Sequence, residues 1–119
     1  MSLLPDLTFG YDVRDSCNSE IIGLNEALDF ELQYDRPYNS TTPTFLGIVG
    51  PAYTTVTSSV ATLLSIEIIK MPLISYGSPD AALSNKDLYE YLSRAISLDN
   101  LQTEAMVDLV SYIFPMRIC

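Results

Sequence analysis

A short apolar run that meets Gly-Pro and passes directly into a helical pattern constrains this chain more than any other stretch. Residues 45–49 form the run, Gly50 and Pro51 follow it, and Thr54 and Thr55 open the helical pattern. In an open parallel sheet, ligands bind outside the carboxyl ends of the strands, where free N–H groups at a helix start can hold an anion. The stretch therefore predicts an anion cradle, although Thr54 and Thr55 would equally serve as caps of a helix that binds nothing.

A second apolar run ends in a turn of the same kind. Residues 71–76 predict a strand entered through Pro72, and Gly77 and Ser78 begin a turn at its carboxyl end. Consecutive strands joined by a right-handed crossover usually lie side by side. The two turns would then face one crevice, which strengthens the hypothesis of a ligand site there.

The remaining pattern alternates between strands and helices. Residues 7–15 show the period of a half-buried strand, residues 19–34 carry a helical stripe, and a second helix follows residue 53. A fourth strand is predicted over residues 92–96, and a last helix over residues 101–113. This order predicts an α/β fold with helices on both faces of a mostly parallel sheet. A further strand would be needed to cover the last helix, so we expect part of a domain.

Composition and residue types argue against several function classes. A formal net charge of −9 with only six Lys and Arg residues disfavours nucleic acid as a partner. No apolar run approaches the roughly 20 residues of a membrane span, and the first residues are too few for a signal peptide. Histidine is absent, and Cys17 and Cys119 lie far apart. We therefore expect no metal, no cofactor and no catalytic pair. Asn39 begins a glycosylation sequon, a hint of an extracellular setting.

Several motifs follow one another along the chain. They are Gly10-Tyr11-Asp12-Val13-Arg14-Asp15-Ser16-Cys17-Asn18, Gly47-Ile48-Val49-Gly50-Pro51, Pro72-Leu73-Ile74-Ser75-Tyr76, Leu83-Ser84-Asn85-Lys86, Tyr89-Glu90-Tyr91-Leu92-Ser93-Arg94 and Gln102-Thr103-Glu104-Ala105-Met106. Together they resemble the extracellular ligand-binding region of class C G-protein-coupled receptors, of the metabotropic-glutamate-like or calcium-sensing-like groups. The resemblance implies a Venus-flytrap module of the periplasmic-binding-protein-like I fold, whose two lobes close on a ligand. Residues 1–119 resemble the first part of its membrane-distal lobe, incomplete at both ends.

The resemblance also implies which residues bind the ligand. In that family, the turns corresponding to residues 53–55 and 77–79 hold the carboxylate and amino groups of an amino acid through backbone N–H and hydroxyl groups. The implied ligand-binding residues are Tyr53, Thr54, Thr55, Ser75, Gly77 and Ser78. Pro79 stands where amino-acid-binding members carry a Ser or Thr donor, and proline offers neither a hydroxyl nor an N–H.

Further roles follow only from the resemblance. Membrane-distal lobes of the family pair through helices corresponding to residues 19–34 and 55–66, which makes Leu63 and Ile66 the expected dimer contacts. Cys17 resembles a cysteine that bonds to an upstream partner, and this sequence contains no upstream cysteine. The full-length receptor would form homo- or heterodimers on the extracellular face of the plasma membrane. It would reach a G protein through a seven-helix domain outside this sequence.

Two other function classes stay open at the level of the sequence. One is a soluble solute-binding protein, or another flytrap receptor such as the amino-terminal domain of an ionotropic receptor. Flanking sequence with seven apolar spans would favour the class C receptor instead. The other is an enzyme, which is the weakest reading because no nucleophile stands beside a base.

Overall fold

The computed structural model describes residues 8–33 and 45–114, and the elements below belong to that part of the chain. Helices alternate with short strands along it. In chain order the elements are α1 (Glu20–Gln33), β1 (Ile48–Val49), α2 (Thr54–Leu64), β2 (Leu73–Ser75), a 3-10 turn (Ala81–Ser84), β3 (Leu92–Arg94) and α3 (Asp99–Ile113). The predicted α/β class is confirmed, and each predicted helix lies within a residue or two of its expected bounds where the structure describes it.

The three strands form one parallel sheet in the order β1-β2-β3. Ile48 stands opposite Leu73, and Leu73 stands opposite Leu92. The amide of Gly50 donates to the carbonyl of Ile74 at 2.8 Å, which continues the ladder past the end of β1. The prediction that the two turn-bearing strands are parallel neighbours is confirmed, so their carboxyl ends share one edge of the sheet.

The core lies between α2 and the sheet, and α1 packs against α2 and contributes Ala27 to that core. Val60 and Leu64 of α2 and Leu73 of β2 are among the buried residues that form it. Gly23 lets α1 approach α2 closely, because a Cβ added there would lie 2.6 Å from a methyl group of Val56. The stripe predicted for α2 therefore faces this core. The stripe predicted for α1 does not, because Ile21, Leu28 and Leu32 are exposed. The buried residues of α1 are instead Gly23, Ala27 and Phe30.

The prediction of a strand over residues 7–15 is wrong for residues 8–15, the part of that stretch that the structure describes. Residues 8–16 contain no strand, and Phe9, Tyr11 and Val13 are exposed. A strand is defined by backbone hydrogen bonds to a neighbour, and no such bond joins residues 8–15 to another described residue. Instead, Arg14 attaches the segment to α1 by donating to Glu26 at 2.9 Å and lying over the ring of Phe30.

The last helix forms as predicted, but its apolar stripe is not covered within the described part of the chain. Every residue of α3 is exposed, including its large apolar side chains Leu101, Met106, Leu109, Val110 and Ile113. Its start is fastened by the amide of Asp99, which donates to the carbonyl of Pro79 at 3.1 Å. Pro115, a residue type that cannot continue a helix because it lacks an N–H, lies outside the described residues. None of the described helices combines the length and apolar character needed to cross a bilayer.

Candidate functional site

Two loops meet at the carboxyl edge of the sheet. The first runs from Gly50 to Tyr53, between the end of β1 and the start of α2, and we call it the β1–α2 turn. The second runs from Tyr76 to Asp80, after the end of β2, and we call it the β2 turn. Because β1 and β2 are parallel and adjacent, both turns lie at the edge where α/β sheets bind ligands.

A cluster of three buried hydroxyl groups joins the two turns. Thr57, Ser75 and Ser78 are each 0 % exposed. The hydroxyl oxygens of Thr57 and Ser78 lie 2.6 Å apart, and those of Thr57 and Ser75 lie 3.5 Å apart. A buried hydroxyl is tolerated only when it is hydrogen-bonded, and each member of this hydroxyl cluster has a partner.

The cluster also binds the backbone of the β1–α2 turn. Ser75 donates to the carbonyl of Pro51 at 2.8 Å. The hydroxyl of Thr57 lies 3.2 Å from the same oxygen, and that of Ser78 lies 3.3 Å from the carbonyl oxygen of Ala52. Each hydroxyl has one proton, so one of these two donates to its carbonyl while the other donates across the 2.6 Å contact between them. Side chains from β2, the β2 turn and α2 thus fasten the β1–α2 turn to the edge of the sheet.

Gly77 brings the two turns into backbone contact. A Cβ added at this position would lie 2.8 Å from the carbonyl oxygen of Ala52 and 3.1 Å from its Cα. Both neighbouring atoms belong to the backbone, so neither can rotate away. Glycine is therefore required here by close approach of two chain segments.

The start of α2 presents backbone N–H groups at the same edge. Tyr53 is the N-cap, with φ −95° and ψ 138°, and it makes no side-chain capping bond. The first amide to bond within this turn is that of Thr57, which donates to the carbonyl of Tyr53 at 2.9 Å. The amides of residues 54–56 precede it and have no acceptor within the helix. They carry the partial positive charge of a helix N-terminus.

The structure separates the predicted ligand-binding residues into two groups. Thr54 is partly exposed, Thr55 and Tyr53 are exposed, and Gly77 is half-buried. Ser75 and Ser78 lie beneath them, with their hydroxyls engaged in the cluster. All six residues thus lie at one edge, and the two serine side chains bind the protein itself. The alternative that Thr54 or Thr55 caps the helix does not hold, because Tyr53 occupies the cap position.

Thr57 was not among the predicted site residues. It lies on the buried face of α2 together with Val60, Ala61 and Leu64. The sequence offered a signal in the position of Thr57, which precedes Val60, Ala61 and Leu64 by three, four and seven residues. Residues at this spacing share one face of a helix. A polar side chain on an otherwise apolar face indicates a buried partner.

A groove of about 870 Å³ lies beside β1, opposite residues 8–16. Phe30 and Phe45, whose rings stack 5.3 Å apart, form part of its wall. The whole β1–α2 turn, from Gly50 to Tyr53, also lines the groove, as does Tyr76 of the β2 turn, whereas Thr54 and Ser78 do not. The groove therefore borders the candidate site along the β1–α2 turn.

The other predicted residues have different surroundings. Cys17 is exposed and forms no disulfide with another described residue. The negative charge of Asp15 raises the pKa of the Cys17 thiol, and hydrogen bonding to that carboxylate adds to the shift, which disfavours the reactive thiolate at neutral pH.

Leu63 packs against the core, whereas Ile66 is 47 % exposed just beyond α2. Asn39 and Cys119 lie outside the described residues.

Comparison with known proteins identifies the family. A family profile described as "Receptor family ligand binding region" matches residues 1–113. This chain belongs to that family. It is also 34 % identical over 120 residues to the human "Extracellular calcium-sensing receptor", an alignment that covers 93 % of this chain and 11 % of that protein. The predicted resemblance to the ligand-binding region of class C G-protein-coupled receptors is thereby confirmed. Within the described residues, no group of three or more His, Cys, Asp or Glu side chains is placed to hold a metal ion.

Proposed function

We propose that this chain supplies one wall of the ligand site of a class C G-protein-coupled receptor. In this proposal, residues 1–119 form the first part of the membrane-distal lobe, and the start of α2 and the β2 turn hold a small amino-acid-like ligand. The observation that carries the proposal is the junction of the two turns, where helix-start amides that have no acceptor within α2 lie beside the turn that contains Gly77. The role is one of binding and not of catalysis, in keeping with a family described as a ligand-binding region.

The chemistry of the site suits a carboxylate. Backbone amides of Thr54 and Thr55 and the hydroxyl of Thr54 are donors, and hydrogen bonds to a charged acceptor are stronger than neutral ones. A helix N-terminus binds anions without a charged side chain. The net charge of −9 would otherwise repel an anion, so local donors are needed to bind one. Backbone carbonyl groups of the β2 turn are acceptors suited to an ammonium group.

The proposal is tested by titrating the isotopically labelled chain with L-alanine and following its amide resonances. We expect shifts at the amides of Thr54, Thr55 and Gly77, with a dissociation constant of about 1 mM or weaker because one wall alone contacts the ligand. L-alaninamide is the matched control, since it keeps the ammonium group and lacks the carboxylate. Equal responses to the two compounds, or shifts confined to other residues, would contradict a carboxylate site at the start of α2.

In the whole receptor, we propose that the chain lies on the extracellular face of the plasma membrane and pairs with a second lobe through α1 and α2. Signalling would pass to a G protein through a seven-helix domain. Leu63 and Ile66 are the proposed dimer contacts. Because Leu63 also packs against the core, a change there would disturb folding as well as pairing, and Ile66 is the better position for a test.

We expect Ile66→Asp in the full-length receptor to weaken dimer formation about tenfold or more, because burying an unpaired charge in an apolar contact costs about 1.4 kcal/mol or more. Crosslinking at the cell surface measures the dimer fraction. Leu88→Asp is the control, because Leu88 is an exposed leucine outside α1 and α2. An unchanged dimer fraction in Ile66→Asp would remove this residue from the interface.

A further inference from the structure

Thr57 is the only member of the hydroxyl cluster that belongs to a helix. Its side chain lies on the face of α2 that packs on the sheet, beside Val60, Ala61 and Leu64. Valine is β-branched like threonine and would bury a second methyl group in place of the hydroxyl. The packing of the core therefore does not explain why a hydroxyl group stands at this position.

The contacts of Thr57 do explain it. Its hydroxyl lies 2.6 Å from that of Ser78, in the β2 turn, and 3.2 Å from the carbonyl of Pro51, in the β1–α2 turn. By contrast, the hydroxyls of Ser75 and Ser78 each lie within hydrogen-bonding distance of one carbonyl of the β1–α2 turn. Only Thr57 connects the body of α2 to both turns at once. A threonine side chain in a helix has few rotamers, so the hydroxyl is held in place by the helix itself.

The positions of Thr57 and Ser78 along the chain also place this connection next to the proposed ligand contacts. Thr57 follows Thr54 by three residues, which sets the two side chains one above the other along α2. Ser78 follows Gly77, whose backbone touches Ala52. We therefore expect the contact between Thr57 and Ser78 to influence the distance from the helix-start amides to the amide of Gly77.

We propose that Thr57 is a positioning residue, whose hydroxyl fixes the spacing between the start of α2 and the β2 turn and so preorganises the two halves of the anion cradle. The expected effect on ligand binding rests on the proposed function. The fixed spacing itself is a property of the chain that does not need a ligand. Preorganised donors bind more tightly because less freedom is lost on association.

The test compares Thr57→Val, which removes the hydroxyl at nearly constant volume, with Thr57→Ser, which keeps it. Amide hydrogen exchange of the chain reports local opening. The amide of Gly50 in the β1–α2 turn and the amide of Asp99, which binds the carbonyl of Pro79 in the β2 turn, are both hydrogen-bonded and so report on opening of the two turns. In Thr57→Val we expect their exchange to rise about tenfold relative to that at Ala27 in α1, since one buried hydrogen bond commonly accounts for such a factor. Thr57→Ser should keep the protection of the wild type. Unchanged exchange at the turns, or an equal rise at Ala27, would overturn the positioning role.

A second variant and a ligand titration complete the test. If Thr57→Val does not fold, Ser78→Ala opens the same 2.6 Å contact from the other side and should give the same local rise; a uniform rise across the chain would again overturn the proposal. L-alanine titration of the same proteins should show weaker binding in Thr57→Val and not in Thr57→Ser. Wild-type chain that does not bind L-alanine would refute the proposed function, while exchange at the turns would still decide the role of Thr57.

Discussion

Gly77→Ala should separate the two turns and weaken binding of L-alanine by about ten- to a hundredfold. The added Cβ would lie 2.8 Å from the carbonyl oxygen of Ala52, closer than real Cβ atoms approach, and 3.1 Å from its Cα, which is also tight. Relief requires movement of the backbone, because no flexible side chain is available to yield. Overpacking of this kind costs about 1 to 3 kcal/mol, and 1.4 kcal/mol corresponds to a factor of ten in affinity.

The matched control is Gly10→Ala, because a Cβ added at Gly10 meets nothing within 4 Å. Both variants remove the same amount of backbone freedom from the unfolded chain, so a difference between them reflects the contact with Ala52. Amide titration gives the affinity, and thermal unfolding gives the stability of each protein. Wild-type affinity in a folded Gly77→Ala protein would show that ligand binding does not depend on the close approach of the two turns.

The parts of the fold that the sequence predicts well are those in which a local pattern and its burial agree. The stripe of Val56, Val60 and Leu64 predicts a helix and also the face that packs on the sheet. The adjacency of β1 and β2 follows from a general rule on crossover connections and needs no knowledge of side-chain contacts. These predictions succeed because short-range period and long-range packing point to the same structure.

The errors arise where a partner outside the local pattern decides the outcome. Alternation over residues 7–15 predicts a strand, but a strand needs a neighbour to pair with, and residues 8–16 are held instead by Arg14. The pattern of α3 predicts a helix with an apolar face, yet period alone does not say what covers that face. In the described structure the whole of α3 is exposed.

The candidate site also combines features that a local pattern predicts with features that depend on distant contacts. The sequence locates both turns, since Gly, Pro, Ser and Thr at strand ends mark them without reference to the rest of the chain. It does not distinguish hydroxyls that face solvent from hydroxyls that face the protein. Ser78 is buried because the β2 turn folds onto Ala52, and Thr57 is buried because α2 packs over that contact. The burial of these two hydroxyls depends on contacts among the β1–α2 turn, the β2 turn and α2, which no local sequence pattern encodes.

Thr54→Ala should reduce the affinity for L-alanine by about 1 to 3 kcal/mol, because it deletes one donor to a charged acceptor and leaves the backbone amides in place. Thr54→Ser keeps the hydroxyl and should lose much less. Loss of a helix cap would instead lower the melting temperature, but Tyr53 occupies the cap position and makes no side-chain bond there. We therefore expect a nearly unchanged melting temperature in Thr54→Ala.

Thr62→Ala is the control for a general effect on α2. Thr62 is exposed on the same helix, and its hydroxyl donates to the carbonyl of Ser58 at 2.8 Å, so the change removes a threonine hydroxyl that lies two turns away from the helix start. Its affinity for L-alanine should equal that of the wild type. A lower melting temperature with intact affinity in Thr54→Ala would assign Thr54 to folding rather than to the ligand. Equal losses of affinity in Thr54→Ala and Thr62→Ala would mean that the hydroxyl content of the helix matters, and that its start is not a specific anion site.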